Sequence, residues 1–224
     1  MRVSVAIMAH PGRAAFVDEL LLKLDCDCTV VWDEHQDRYE TGHRAWLAYD
    51  KDAAYHVVIQ DDVIPCVDLI PGLERALDRV YREAPLCGYI GLYRPPLAGL
   101  EAAITEADER QASFITMKTL NFGQLVAAPT DSICDMVAYT DKLTDVQNYD
   151  RRLSRYWELE RKIRVWYTWP SLVDHRVSPS FVPGRASATP SKPGGLVAHR
   201  FIGADQSALD LGWHGPVVHA KGLR

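Results

Sequence analysis

Three short apolar runs, Val3 to Met8, Cys28 to Glu34 and His56 to Gln60, are rich in β-branched residues and bounded by turn formers. Each is too short for a helix of ordinary length and reads as a buried strand. Between the first two lies "AAFVDELLLKL", whose Phe16, Leu20 and Leu24 fall on one helical face; between the second and third, "TGHRAWLAYDKDA" reads as a short helix. Strand, helix and strand in alternation constrain the chain strongly, because consecutive parallel strands need a crossover and a helix is the usual one. The expected fold class is therefore α/β: a Rossmann-like, mostly parallel central sheet flanked by helices.

In such sheets ligands collect beyond the carboxyl ends of the strands. His10 follows the first strand, Asp33 ends the second, and Asp61 and Asp62 end the third in "YHVVIQDDVIPC". Two adjacent carboxylates at the end of a buried strand repel each other, and each costs free energy to desolvate. A bound cation would offset that cost; a capping or solvated Asp-Asp turn is the structural alternative.

The rest of the chain is less regular. "LERALDRVYREA" carries Leu73, Ala76, Leu77 and Val80 on one stripe after Pro71-Gly72, and "CGYIGLY" reads as another strand. "FITMKTLNFGQLVAAP" reads as one or two strands around Gly123. "PTDSICDMVAY" opens a helix, and "YDRRLSRYWELE" is a second one with Tyr149, Leu153 and Trp157 on one face. "IRVWYTWPSLVDH" is β-rich and ends in Asp174 and His175; a neutral imidazole suits Mn²⁺. From Ser178 onward, "SPSFVPGRASATPSKPGG" is rich in Pro, Ser and Gly and reads as a loop or irregular tail. This divides the chain into a domain over 1–180 and a C-terminal extension or lid over 181–224, which carries His199, His214 and His219.

Composition excludes some classes. A net charge of −5 and a pI near 5.9 give no generic attraction to nucleic acid or anionic membrane. The five cysteines are odd in number and form no CxxC pair, so a disulfide framework or structural zinc is not expected and a reducing cytoplasm fits. The apolar start "MRVSVAIMAHPGR" is broken by His10 and Pro11, so it reads as a first strand and not as a signal peptide; no stretch is long enough to span a bilayer.

Taken in order, "VAIMAHPGR", "TGHRAW", "VIQDDV", "NFGQLVAAP", "NYDRRL" and "PSLVDHRVSPS" resemble a GT-A-fold glycosyltransferase. The closest likeness is to the small nucleotide-sugar enzymes of phage and bacterial genomes, over roughly Arg2 to Ser180. The resemblance implies a GT-A-like sheet, a nucleotide-sugar donor, foremost a UDP-sugar, and Mn²⁺ or Mg²⁺. It makes Asp62 the direct metal ligand and His175 a second metal or phosphate ligand, with Asp61 contacting the donor ribose or sugar. The family's acidic motif is often Glu-Asp-Asp or Asp-x-Asp, and Gln60 departs from it. "AHPGR" would face the nucleotide: Ala9 and Pro11 through backbone groups, with His10 beside them, and Arg13 through a phosphate. Asp33 would accept from uracil or ribose, and Arg44 is the charged candidate in "TGHRAW". Gly123 would let backbone approach the donor sugar, and Gln124 would bond a sugar hydroxyl. Asp150 is the expected catalytic base, against the alternative of a helix N-cap.

The expected activity is thus metal-dependent transfer of a sugar from a nucleoside-diphosphate sugar to a hydroxyl on a glycan, a protein or a modified DNA base. A catalytically weak nucleotide-sugar-binding module and a nucleotidyltransferase are the competing classes.

Overall fold

The computed structural model describes residues 1–92, 98–146, 148–177 and 197–221. The alternation read from the sequence is present: β1 (Val3–Ala9), α1 (Ala14–Leu24), β2 (Cys28–Trp32), α2 (Arg38–Leu47) and β3 (Tyr55–Gln60) follow one another. Next come β4 (Val63–Pro65), α3 (Leu69–Leu77), β5 (Leu86–Cys87), α4 (Ala98–Glu109), β6 (Phe114–Met117) and β7 (Leu125–Pro129). The chain continues through α5 (Ile133–Asp141), α6 (Tyr149–Arg155), β8 (Val165–Thr168), β9 (Val173–His175) and β10 (Val217–His219). One eight-stranded sheet runs β10-β6-β8-β5-β7-β3-β1-β2, and β4 pairs with β9 in a separate ribbon.

Parallel pairs predominate: β1 with β2 and β3, β5 with β8, and β6 with β10. The antiparallel pairs are β3–β7, β5–β7 and β6–β8. Since β7 runs against β3, its first residues lie beside the last residues of β3. Helices flank the sheet; α2 packs on β1, β2 and β3, and α4 packs on β6 and β10. β3 is apolar along nearly its whole length because it lies inside the sheet, covered on both faces.

Four readings differ from expectation. The strand expected over "CGYIGLY" is confined to Leu86–Cys87. α4 was not anticipated, although Leu100, Ala103, Ile104 and Ala107 are buried at helical spacing. Phe16 is only half-buried, and Val17 joins Leu20 and Leu24 in the core instead. The described part of the C-terminal extension is not a loose tail. β10 extends the sheet beside β6, Trp213 is buried with its ring 5.5 Å from Phe114, and Thr116 Oγ1 bonds His219 Nδ1 at 2.7 Å. Without β10, β6 would present an open edge, so pairing satisfies a row of backbone groups. The Pro/Ser/Gly-rich run itself lies almost wholly outside the described residues.

All five cysteines are free. Among the described residues, no helix is long and apolar enough to cross a membrane.

His56 on β3 gives the fold a pH dependence. It is fully buried; Nε2–H donates to Ala45 O at 2.8 Å, and Nδ1 accepts from the Ser4 hydroxyl at 2.8 Å. Burial holds its pKa below the ordinary 6.5. As pH falls through that value the unfolded chain takes up a proton that the native state refuses, so stability present above it is lost. The slope approaches about 1.4 kcal/mol per pH unit. Urea midpoints at pH 7.5 and 5.5 should differ less in His56→Gln than in the wild type; an equal difference would assign the slope to other groups.

Candidate active site

β1, β2 and β3 are parallel and end together, so the residues after them share one rim. Ala9 is buried, and its carbonyl accepts from Asp33 N at 2.7 Å, which ties the ends of β1 and β2. The backbone N–H of His10 donates to Asp61 Oδ2 at 2.7 Å. Pro11 opens a single 3₁₀ turn, Pro11–Arg13, capped by His10 Nδ1, which accepts from Gly12 N at 3.0 Å. That turn swings Arg13 back over the end of β3. Its Nη1 lies 2.8 Å from Asp61 Oδ1 and 2.7 Å from Asp62 Oδ2.

Asp61 and Asp62 are therefore buried and adjacent, as their place in the sequence suggested, and one guanidinium spans them. Burial pushes the Asp61 carboxyl above its usual pKa, with the neighbouring Asp62 charge in support; the His10 N–H and Arg13 act against it. With both carboxylates ionised, Arg13 leaves the trio one negative charge in excess. Asp62 Oδ1 is buried with no hydrogen-bond partner, an arrangement that ordinarily costs free energy.

The β4–β9 ribbon delivers His175 to this point by pairing it with Val63. His175 Nδ1 lies 2.7 Å from Arg176 O. A carbonyl can only accept, so Nδ1 carries the proton and, in the neutral ring, Nε2 presents its lone pair. Nε2 is 3.4 Å from Asp62 Oδ2. A lone pair facing a carboxylate calls for a positive charge between them, either a proton or a metal ion.

Two neighbours of this centre were given no role from the sequence: Asp174, named only as the end of the β-rich segment, and Arg176. Asp174 Oδ1 accepts from His175 N at 2.8 Å and Ala198 N at 2.6 Å, so it joins the histidine to the returning C-terminal segment. Arg176 donates its backbone N–H to Asp62 O at 2.8 Å, stacks on Phe16 at 4.8 Å and pairs with Glu19 at 2.6 Å. That contact accounts for the half-buried position of Phe16. The only sequence hint was adjacency to His175.

The donor set for a divalent ion is small. Asp61 is engaged by His10 and Arg13, which leaves Asp62, with its unpartnered oxygen, and His175. Among the described residues, no three His, Cys, Asp or Glu side chains gather as a metal cage. Asp62 and His175 could supply a carboxylate oxygen and an imidazole nitrogen to a divalent ion, which would need its remaining ligands from outside these two side chains.

A second group lies one strand away. Gln60 N donates to Gln124 O at 2.9 Å, which sets the Gly123–Gln124 backbone against the end of β3. Gln124 is buried, and its Oε1 has no hydrogen-bond partner. Asp150, half-buried on the first turn of α6, rests on Gly123: a Cβ at residue 123 would come within 2.2 Å of Asp150 Oδ1. The N-cap alternative for Asp150 does not hold, because Asn148 is the cap and accepts from Arg151 N at 3.2 Å. The charge of Asp150 adds to burial in raising the Tyr149 phenol well above its usual pKa.

Asp33 and Arg44 form a third group, which is largely self-contained. Asp33 Oδ1 accepts from Asp37 N at 3.0 Å, and Arg44 donates to Trp32 O at 2.7 Å with Glu34 and Glu40 nearby. Arg44 thus braces the β2–α2 turn that carries Asp33.

No family model matches the chain, and no curated protein matches it. Among solved structures, the crystal structure of A197 from STIV is similar, with a TM-score of 0.47 and 14% identity over 80% of this chain and 87% of that chain.

Proposed function

We propose that the chain is a GT-A-like glycosyltransferase that moves a sugar, foremost a hexose, from a nucleoside diphosphate such as UDP to a hydroxyl acceptor. The observation that carries this reading is the buried Asp61–Asp62 pair at the carboxyl end of β3, faced by His175 Nε2 and flanked by Asp150 on Gly123. Transfer from such a donor develops negative charge on the departing diphosphate and requires removal of a proton from the acceptor. Cations at one point of the rim and a base at another meet those two needs.

A divalent ion held by Asp62 and His175 would act as a Lewis acid toward the diphosphate. Arg13 supplies a fixed positive charge with a fork suited to phosphate oxygens. In an inverting transfer, the acceptor oxygen bonds to the anomeric carbon, the bond from that carbon to the diphosphate oxygen breaks, and Asp150 takes the acceptor's proton. Gln124 Oε1, buried and lacking a partner, suits a sugar hydroxyl as donor.

The test is incubation with UDP-, GDP- and dTDP-sugars plus Mn²⁺ or Mg²⁺, with release of nucleoside diphosphate followed over time. Metal-dependent release from one donor is expected. Tight binding of a nucleotide-sugar with no turnover, whatever acceptor is added, would make the chain a binding module. Pyrophosphate release from a nucleoside triphosphate would make it a nucleotidyltransferase.

A further inference from the structure

Arg13 occupies an unusual position for a phosphate ligand. One nitrogen, Nη1, serves two carboxylates at 2.8 and 2.7 Å, and the side chain is 13% exposed. It is held there locally, because Arg13 N donates to His10 O at 2.8 Å and the His10 N–H grips the same Asp61. Asp62 Oδ2 is shared between Arg13 Nη1 and His175 Nε2, while Asp62, only 5% exposed, keeps Oδ1 without a partner. A divalent ion entering between Asp62 and His175 would meet a guanidinium already in contact with the carboxylate it needs. Two cations against one carboxylate repel each other strongly in a site this dry. A nucleoside diphosphate brings the negative charge that draws the guanidinium away, and a phosphate matches its planar fork.

We propose that Arg13 is an exchange cation: it offsets one of the two charges of Asp61 and Asp62 in the ligand-free protein, then passes from Asp62 to the diphosphate as a divalent metal takes Asp62 and His175. Metal therefore binds poorly to the protein alone and well together with the diphosphate. The sequence supplies this coupling with one residue whose two partners, carboxylate and phosphate, compete for it. The inference rests on the glycosyltransferase reading only for the identity of the diphosphate ligand.

Arg13→Gln separates the two roles because they predict opposite signs. Mn²⁺ affinity for the protein alone, read from the loss of free-ion EPR signal, should rise roughly tenfold over wild type once the competing charge is gone. Affinity for UDP in the presence of Mn²⁺, read by calorimetry with the Mn²⁺–UDP equilibrium measured separately, should fall by about tenfold. A purely structural Arg13 would weaken both together, and that result, or unchanged Mn²⁺ affinity in a folded variant, overturns the proposal. Should Arg13→Gln not fold, Arg13→Lys keeps the charge: Mn²⁺ alone should then bind as weakly as in wild type, and tighter binding would overturn the proposal. Absence of UDP binding in the wild type, with or without Mn²⁺, also overturns it. The predicted pair of shifts with no sugar released from any donor would leave the exchange standing while sinking the glycosyltransferase reading.

Discussion

Asp150→Asn is expected to slow sugar transfer by about 10²–10⁴-fold while nucleotide and Mn²⁺ binding stay at wild-type levels. Asparagine preserves shape and contact with Gly123, and the helix keeps its cap because Asn148 supplies it. What is lost is the capacity to take the acceptor's proton. Single-turnover transfer, compared with UDP and Mn²⁺ titrations on the same preparation, reads the two effects apart. Gly123→Ala provides a geometric companion. Its methyl would sit 2.2 Å from Asp150 Oδ1, closer than any real contact, so the carboxylate or the first turn of α6 must move. A displacement on the order of 1 Å can cost about 10²-fold in rate, so this variant should lose turnover with its carboxylate intact. If both variants lose donor binding in parallel with turnover, Asp150 belongs to the donor site. Near-wild-type transfer in Asp150→Asn would move the base elsewhere.

Asp62→Asn should remove the metal-linked part of nucleotide binding and bring transfer to the level seen without metal. The same change should leave the melting temperature equal or raise it. Removing one partner of a buried ion pair commonly costs about 3–5 kcal/mol, because a charge is left alone. Here Arg13 retains Asp61 at 2.8 Å, and repulsion between two adjacent buried carboxylates disappears. A site held in a strained charge state for function is expected to trade stability for activity in this manner. Thermal melts of the ligand-free variant and Mn²⁺ titration in the presence of UDP check the two halves. A large drop in melting temperature with Mn²⁺ binding intact would make Asp62 a structural residue.

Much of the rim was legible before the fold. Strand periods and turn residues located the ends of β1, β2 and β3, and from these His10, Asp33, Asp61 and Asp62 followed, because parallel strands must end on the same side. Gly123 and Asp150 were singled out separately, but nothing local says that the one lies under the other. That contact exists because β7 runs antiparallel to β3 and the first turn of α6 sets Asp150 against Gly123, just before β7. The α4 helix was missed although its apolar spacing was visible.

The sequence by itself determined the periodicity of strands and helices, the presence of two adjacent carboxylates at a strand end, and the break after the first strand at Pro11-Gly12. These are local properties, written in hydrophobic period, β-branching and the Pro-Gly pair before Arg13. Only the tertiary structure decided which charge meets which. Arg13 reaches Asp61 and Asp62 because β1 and β3 are neighbours in the sheet, and His175 reaches Asp62 because β9 pairs with β4. Only it decided, too, that β10 closes the edge beside β6. Such pairings join residues far apart in the chain, and their energies depend on burial and neighbours that a linear pattern does not contain.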